Sequence, residues 1–136
     1  MKRGLSAMIA LAALFVSANA YSALNQEMNG LIEKFQKEAG IKAFSAEDGK
    51  KFFATKRMHS KGEERSCSTC HTADPRQKGK TVVGKVIEPM AQSMNKERFT
   101  DPKKVEKWLK RNCEWVLERE CTPKEKGDFI LYMTTI

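Results

Sequence analysis

The chain has 136 residues, of which 25 are Lys or Arg and 17 are Asp or Glu, so its formal net charge is +8 at pH 7. This length is that of one small domain. The positive surplus suits an acidic protein partner, an anionic membrane surface or simply solubility. The sequence has no basic segment interleaved with aromatic residues, so we do not expect nucleic acid as a partner.

Residues 1–20 have the pattern of a secretory signal peptide. Met1-Lys2-Arg3 is positively charged, an apolar run extends from Leu5 to Val16, and Ala18-Asn19-Ala20 is a typical cleavage site. The apolar run is too short to cross the ~30 Å hydrocarbon core of a bilayer. We therefore expect an exported protein that is cleaved after residue 20.

Two helices are predicted next in the chain. Apolar residues recur at helical spacing over 24–39, and Gly40 follows where a C-terminal capping glycine belongs. A second helix is predicted to begin after Ser45, with Asp48 completing a start that resembles a capping box, and to end near Met58-His59.

Cys67-Ser68-Thr69-Cys70-His71 is the C-x-x-C-H pattern of c-type haem attachment. Two thiols at this spacing can each form a thioether bond with a vinyl group of one porphyrin. The following histidine then becomes the proximal ligand of the iron. The motif predicts one covalent haem c, and export agrees with it.

A loop that wraps the haem is predicted over residues 72–100, with one helical turn near 91–94. Thr100 or Asp101 then caps a third helix that has Pro102 at its first position and extends to about residue 119. A capping box at Thr122 opens a C-terminal helix.

The order of helix, haem motif, loop, helix and C-terminal helix resembles the class I cytochrome c fold. We therefore predict an all-α protein with an extra N-terminal helix and a single covalent haem. Residues 21–43 would be a helical extension and residues 44–136 the cytochrome domain. The helix before the motif would cross the last helix, where Gly49 and Phe52-Phe53 would meet Phe129 and Tyr132.

The group on the other face of the iron decides the function, because a second strong ligand gives an electron carrier and a weak one leaves the iron open. The candidates are Met90, Met94, His59, Asn112, Met58 and Met133. Met90 is the first choice from the residues alone, with core packing as the alternative. His59 is expected at the surface or at a helix end. Asn112 lies on the apolar face of the third helix, where a buried amide needs a hydrogen-bonding partner or a metal.

Cys113 and Cys121 are the two cysteines that lie outside the haem motif. An even remainder in an exported protein predicts a disulfide, because oxidising compartments favour such bonds. The bridge would fix the helix next to Asn112.

Several segments resemble the sphaeroides haem protein group of class I cytochromes. They are Arg111-Asn112-Cys113, Cys121 to Asp128, Glu88-Pro89-Met90-Ala91, Arg98-Phe99-Thr100-Asp101 and Val105-Glu106-Lys107-Trp108. The similarity extends from about Phe44 to the C-terminus. It implies that Asn112 is the sixth ligand of the oxidised iron, with Met90 retained as the alternative.

The resemblance also implies a function. The asparagine would leave on reduction, and the ferrous site would bind oxygen, nitric oxide or carbon monoxide. A dihaem cytochrome c and a membrane cytochrome b would supply electrons in the bacterial periplasm. The reaction that such a site would catalyse is oxidation of nitric oxide or reduction of a small oxyanion, and the sequence identifies no catalytic acid or base for it. A plain electron shuttle and a haem subunit docked on a larger oxidoreductase are the other hypotheses.

Overall fold

The computed structural model describes residues 24–136, so the predicted signal peptide lies outside the described residues. Within this range the chain forms five helices and two small antiparallel hairpins. In chain order the elements are α1 (Gln26–Ala39), α2 (Ala46–Ala54), β1 (Arg57–Met58), β2 (Glu64–Arg65), α3 (Ser68–His71), β3 (Gly79–Lys80), β4 (Val86–Ile87), α4 (Pro102–Leu117) and α5 (Pro123–Thr135). No helix of the described part is long and apolar enough to cross a bilayer.

The central feature of the fold is the close crossing of α2 and α5. A Cβ atom added at Gly49 would lie 2.6 Å from the carbonyl carbon of Asp128 and 2.9 Å from the Cβ of Tyr132. The ring of Phe53 packs beside Phe129 and Tyr132, with centroid separations of 6.5 and 6.1 Å. The predicted crossing is therefore confirmed, because glycine is the residue that lets the two backbones meet.

Side-chain caps set the starts of the longer helices. The side chain of Ser45 accepts a hydrogen bond from the Asp48 amide, and that of Asp101 accepts one from the Lys104 amide. At α5 the capping box between Thr122 and Glu125 is complete. These predicted starts are confirmed, because a cap depends on residues only three positions apart.

Helix α1 packs against α5 and shares its core. Phe35 and Met28 of α1 are fully buried in the same cluster as Ile130 and Met133 of α5. Gly40 ends α1 with φ of 67°, a left-handed conformation that glycine adopts readily. The division of the chain at residue 44 stays a prediction.

Two predictions about the connecting segments are wrong. Helix α2 ends at Ala54 rather than near residue 59, because the chain becomes extended at Thr55 and β1 then pairs with β2. The segment 72–100 is not only loop, since β3 pairs with β4 inside it. Two-residue strands show no alternating pattern in the sequence, so only the pairing itself reveals them.

Candidate haem-binding site

A cavity of about 220 Å³ lies between the haem motif, α4 and the core aromatics. Phe52, which was predicted to meet α5, lines this cavity, as does Phe129. The motif and the two strongest ligand candidates open into the same space, namely Cys67, Cys70, His71, Met90 and Asn112. Most of the lining is apolar, as a pocket for a porphyrin requires.

The haem motif is a single helical turn. The amides of Cys70 and His71 both donate to the carbonyl of Cys67, and this turn brings the two thiols and the imidazole to one wall of the cavity. The thiols are not bonded to each other. Thr72 ends the turn with φ of 61°.

The protonation of the motif suits a haem c. Burial lowers the pKa of His71 to about 4, and the positive charge of Arg98 adds to the effect. The imidazole is therefore neutral near pH 7 and keeps a lone pair for iron. Burial also raises the pKa of the Cys67 thiol to about 11. Two unpaired thiols, a neutral imidazole and an apolar cavity together fit the predicted cofactor.

The lining of the cavity distinguishes among the candidate iron ligands. Met58 and Met94 are exposed, at 70% and 60% of their surface, whereas Met133 is fully buried in the core. None of the three lines the cavity.

The prediction that His59 lies at the surface or at a helix end is wrong. His59 is buried, and it lies in the turn between β1 and β2. Its Nε2 lies 3.4 Å from a carboxylate oxygen of Glu118, and it does not line the cavity. Long-range packing of the hairpin on the end of α4 buries it, which local sequence does not indicate.

Asn112 lies on the predicted face of α4, although its own burial was predicted wrongly. Leu109 and Val116 on the same helix are buried, but Asn112 and Trp108 remain accessible to solvent. Both side chains line the cavity. The amide is accessible because it faces this cavity rather than the packed core.

The backbone of Met90 is attached to the segment that follows His71. The amides of Met90 and Ala91 donate to the carbonyl of the buried Pro75, at 2.8 and 3.0 Å. Arg98 holds the same segment by donating to the carbonyl of Pro89 at 3.0 Å. The backbone segment that carries Met90 is therefore attached to the segment that follows His71, whereas Asn112 is carried by α4.

A disulfide joins Cys113 to Cys121, with the two Cα atoms 5.6 Å apart. Both residues are buried, and the bridge connects α4 to the residue before the cap of α5. It constrains the helix one residue beyond Asn112.

Sequence reasoning missed several residues that shape the site. Gly79 packs against the backbone of Cys70, so that a Cβ there would lie 3.0 Å from the carbonyl carbon and nearer to the oxygen. Arg98 lines the cavity. Arg65 holds the end of α4 through the carbonyl of Trp115. An isolated glycine was a weak indication of the first contact, Arg98 was singled out only within a segment that carries the family resemblance, and Arg65 gave no indication.

Comparison with known proteins identifies relatives of this chain. The model of a family described as a domain of unknown function, DUF1924, matches residues 39–133. The chain is 44% identical over 103 residues to cytochrome c-type protein SHP of Cereibacter sphaeroides, covering 76% of this chain and 79% of that protein. It is also 44% identical over 92 residues to cytochrome c'' of Methylophilus methylotrophus, covering 67% of this chain and 64% of the relative.

Solved structures give the same result. The structure of oxidised SHP, described as an oxygen-binding cytochrome c, superposes with a TM-score of 0.73 at 41% identity, covering 79% of this chain and 95% of that one. Oxidised cytochrome c'' from M. methylotrophus gives a TM-score of 0.72 at 38% identity, covering 79% and 93%. The predicted fold class is thereby confirmed.

Proposed function

Since this chain belongs to the family of class I c-type cytochromes that includes SHP and cytochrome c'', we propose that it is a monohaem cytochrome that binds a diatomic ligand. The ligand would be oxygen, nitric oxide or carbon monoxide. Cys67 and Cys70 would hold the haem c through thioether bonds, and His71 would be the proximal ligand. When bound, the haem would supply a redox-active iron that can take up a diatomic molecule.

Asn112 is proposed as the second axial ligand in the oxidised protein. The observation that carries this assignment is the cavity lining, which contains Asn112 and Met90 and excludes the other candidates. Both side chains line the cavity, and the resemblance to the sphaeroides haem protein group, whose asparagine ligand corresponds to Asn112, makes Asn112 the better candidate.

The chemistry of a carboxamide suits a ligand that leaves on reduction. Its oxygen is a hard and neutral donor, so it binds ferric iron better than the softer ferrous iron. Asn112 would therefore block the iron in the oxidised protein and would leave it accessible in the reduced protein.

An ordinary electron-transfer cytochrome is the second candidate function. Its support is that the half-buried Met90 lines the same cavity as His71. A thioether would bind both oxidation states firmly and would leave no position for a gas.

Optical spectra of the haem-loaded protein distinguish the two functions. We would compare the wild type with Asn112→Ala and Met90→Ala, oxidised and reduced, with and without carbon monoxide. Met94→Ala is the matched control, because that methionine is 60% exposed and lies outside the cavity lining.

For a gas-binding protein, the reduced wild type should be high-spin and take up carbon monoxide. Asn112→Ala should then change the ferric spectrum, whereas the two methionine variants should not. A low-spin ferrous wild type that becomes high-spin only in Met90→Ala would establish the electron carrier instead.

The periplasm is the proposed location, supported by the predicted signal peptide at residues 1–20. The proposed electron donors are a dihaem cytochrome c and a membrane cytochrome b, and their support is the family resemblance. Lys104 lines the cavity and is exposed, so its positive side chain suits an acidic donor surface. Stopped-flow reduction by a purified dihaem cytochrome c at increasing salt would test this, since the rate should fall as salt screens the charges.

A further inference from the structure

The C-terminal turn of α4 is held by the β1–β2 hairpin that precedes the haem motif. Arg65 of β2 is only 7% exposed. Its Nη1 donates a hydrogen bond of 2.9 Å to the carbonyl of Trp115, and its guanidinium stacks on the Trp115 ring at 4.3 Å from the centroid. Because Trp115 lines the haem cavity, the hairpin contacts a residue that belongs to the site.

A second contact lies at the residue that ends α4. The carboxylate of Glu118 accepts a hydrogen bond of 3.0 Å from the Ser60 amide and another from the Ser60 hydroxyl. His59 faces the same carboxylate at 3.4 Å. The hydrogen bonds from Ser60 lower the pKa of Glu118, so this carboxylate is ionised at neutral pH.

The backbone conformation of Glu118 would suit glycine better than glutamate, so helix termination does not explain why a glutamate stands here. Its φ of 56° is left-handed, a conformation that is unfavourable for a residue with a Cβ and that glycine adopts freely at helix ends. Glycine would end α4 with less strain. A residue that keeps an unfavourable backbone conformation while its side chain makes specific contacts indicates that those contacts have a role.

These contacts act on the helix that carries Asn112. Trp115 follows Asn112 by about one turn of α4, and Glu118 is the C-cap residue that directly follows the last turn. A helix transmits displacement along its axis because its backbone is rigid, so a constraint at residues 115–118 limits the movement of residue 112.

We propose that this α4 clamp, formed by Ser60 and Arg65 of the hairpin region with Trp115 and Glu118 of α4, sets how firmly Asn112 occupies its axial position. Ser60, Arg65 and Glu118 are thus positioning residues, which act through Asn112 and do not touch the iron. The inference rests on the proposed function, because it requires Asn112 to be a ligand in the oxidised protein.

Competition with imidazole measures the hold on Asn112 directly. Imidazole must displace the amide from the oxidised holoprotein, so its Kd, followed by the optical spectrum, becomes smaller as the amide becomes easier to displace. The variants are Glu118→Gly, which removes the carboxylate and suits the backbone, Glu118→Gln, which keeps an acceptor for Ser60, and Ser60→Ala. Each is made in the wild type and in Asn112→Ala.

The control is Glu106→Gln. Glu106 also lies on α4 and forms an ion pair of 2.7 Å with Lys34 of α1, but it does not contact the hairpin. It reports the effect of losing one charged contact of α4 outside the clamp.

Glu118→Gly should lower the Kd for imidazole by roughly three- to tenfold, as expected for losing a partly exposed charge-assisted contact. Ser60→Ala should act in the same direction, Glu118→Gln should restore most of the wild-type value, and Glu106→Gln should change nothing. In Asn112→Ala the clamp variants should have no effect, since a double-mutant cycle isolates the coupling.

An unchanged or higher Kd in Glu118→Gly would overturn the inference, and so would an equal shift in the Asn112→Ala background. If Asn112→Ala alone left the ferric spectrum unchanged, the proposed function would fail instead. The two failures are therefore distinguishable.

Discussion

The crossing of α2 and α5 at Gly49 gives the most stringent test of the fold. In Gly49→Ala the new Cβ would lie 2.6 Å from the carbonyl carbon of Asp128, whereas real Cβ atoms essentially never come within 3.0 Å of a heavy atom from a distant part of the chain. The obstacle is backbone, so no rotamer change can relieve it. To regain ordinary contact the helices must separate by about an ångström, which forfeits roughly a quarter to a half of the dispersion energy at each neighbouring contact.

The affected neighbours are large and buried. Phe53 is 1% exposed and Ile130 is fully buried, so the loosened region is the centre of the core. Overpacking usually costs ~1–3 kcal/mol, and a backbone clash should reach about 3 kcal/mol or more, a large fraction of the ~5–15 kcal/mol typical of a domain. The midpoint of thermal unfolding should fall by about 12 °C or more.

Thermal and guanidinium unfolding of the oxidised holoprotein, followed by circular dichroism and by the haem absorbance, measure the change. Gly30→Ala is the matched control, because Gly30 lies inside α1 with no atom within 4 Å of an added Cβ. Alanine there should stabilise the protein by ~0.5–1 kcal/mol. Equal midpoints for the two variants would refute the reasoning about the crossing.

Three further predictions concern the site and its supports. Gly79→Ala should displace β3 from the backbone of Cys70 and lower the ratio of haem to exported protein, measured by the pyridine haemochrome assay. Cys113→Ser should reduce the free energy of unfolding by roughly 2–3 kcal/mol through loss of the loop constraint, measured by denaturation, and should also alter the ferric spin state because the helix beside the bridge is loosened. The hydrogen bond from Arg119 lowers the pKa of Glu125 below its usual value of 4.5. The ionised Glu125 therefore stabilises the fold above about pH 4.5, and this stabilisation is lost as the pH falls further. Glu125→Gln should flatten this part of the acid-unfolding profile.

Each of these has a clear contrary result. Normal haem loading of Gly79→Ala would show that the hairpin contact is not needed for attachment. An unchanged ferric spectrum in Cys113→Ser would separate the disulfide from the ligand helix. An equally steep acid profile for Glu125→Gln would mean that other carboxylates control acid unfolding.

Local chemistry explains the parts of the fold that the sequence predicted. The starts of α2, α4 and α5 depend on a cap and an amide three residues apart, so they could be identified without knowledge of the rest of the chain. The end of α2 could not, because it is set by pairing of β1 with β2 across a turn.

The candidate site divides in the same way. The motif Cys67-Ser68-Thr69-Cys70-His71 specifies its own helical turn and predicts haem c from five adjacent residues. Met90 and Asn112 were candidate ligands from the sequence, but Met58, Met94 and Met133 were candidates as well. Only the packed chain shows which of these side chains reach the cavity.

The sequence by itself therefore determined the attachment chemistry, the helix starts and the family, because each depends on neighbouring residues or on a pattern along the chain. The tertiary structure decided the burial of His59, the lining of the cavity and the hold of the hairpin on α4. Arg65 and Trp115 are fifty residues apart in the chain and in contact in space. Such contacts arise from how whole elements pack, and no local preference of either residue encodes them.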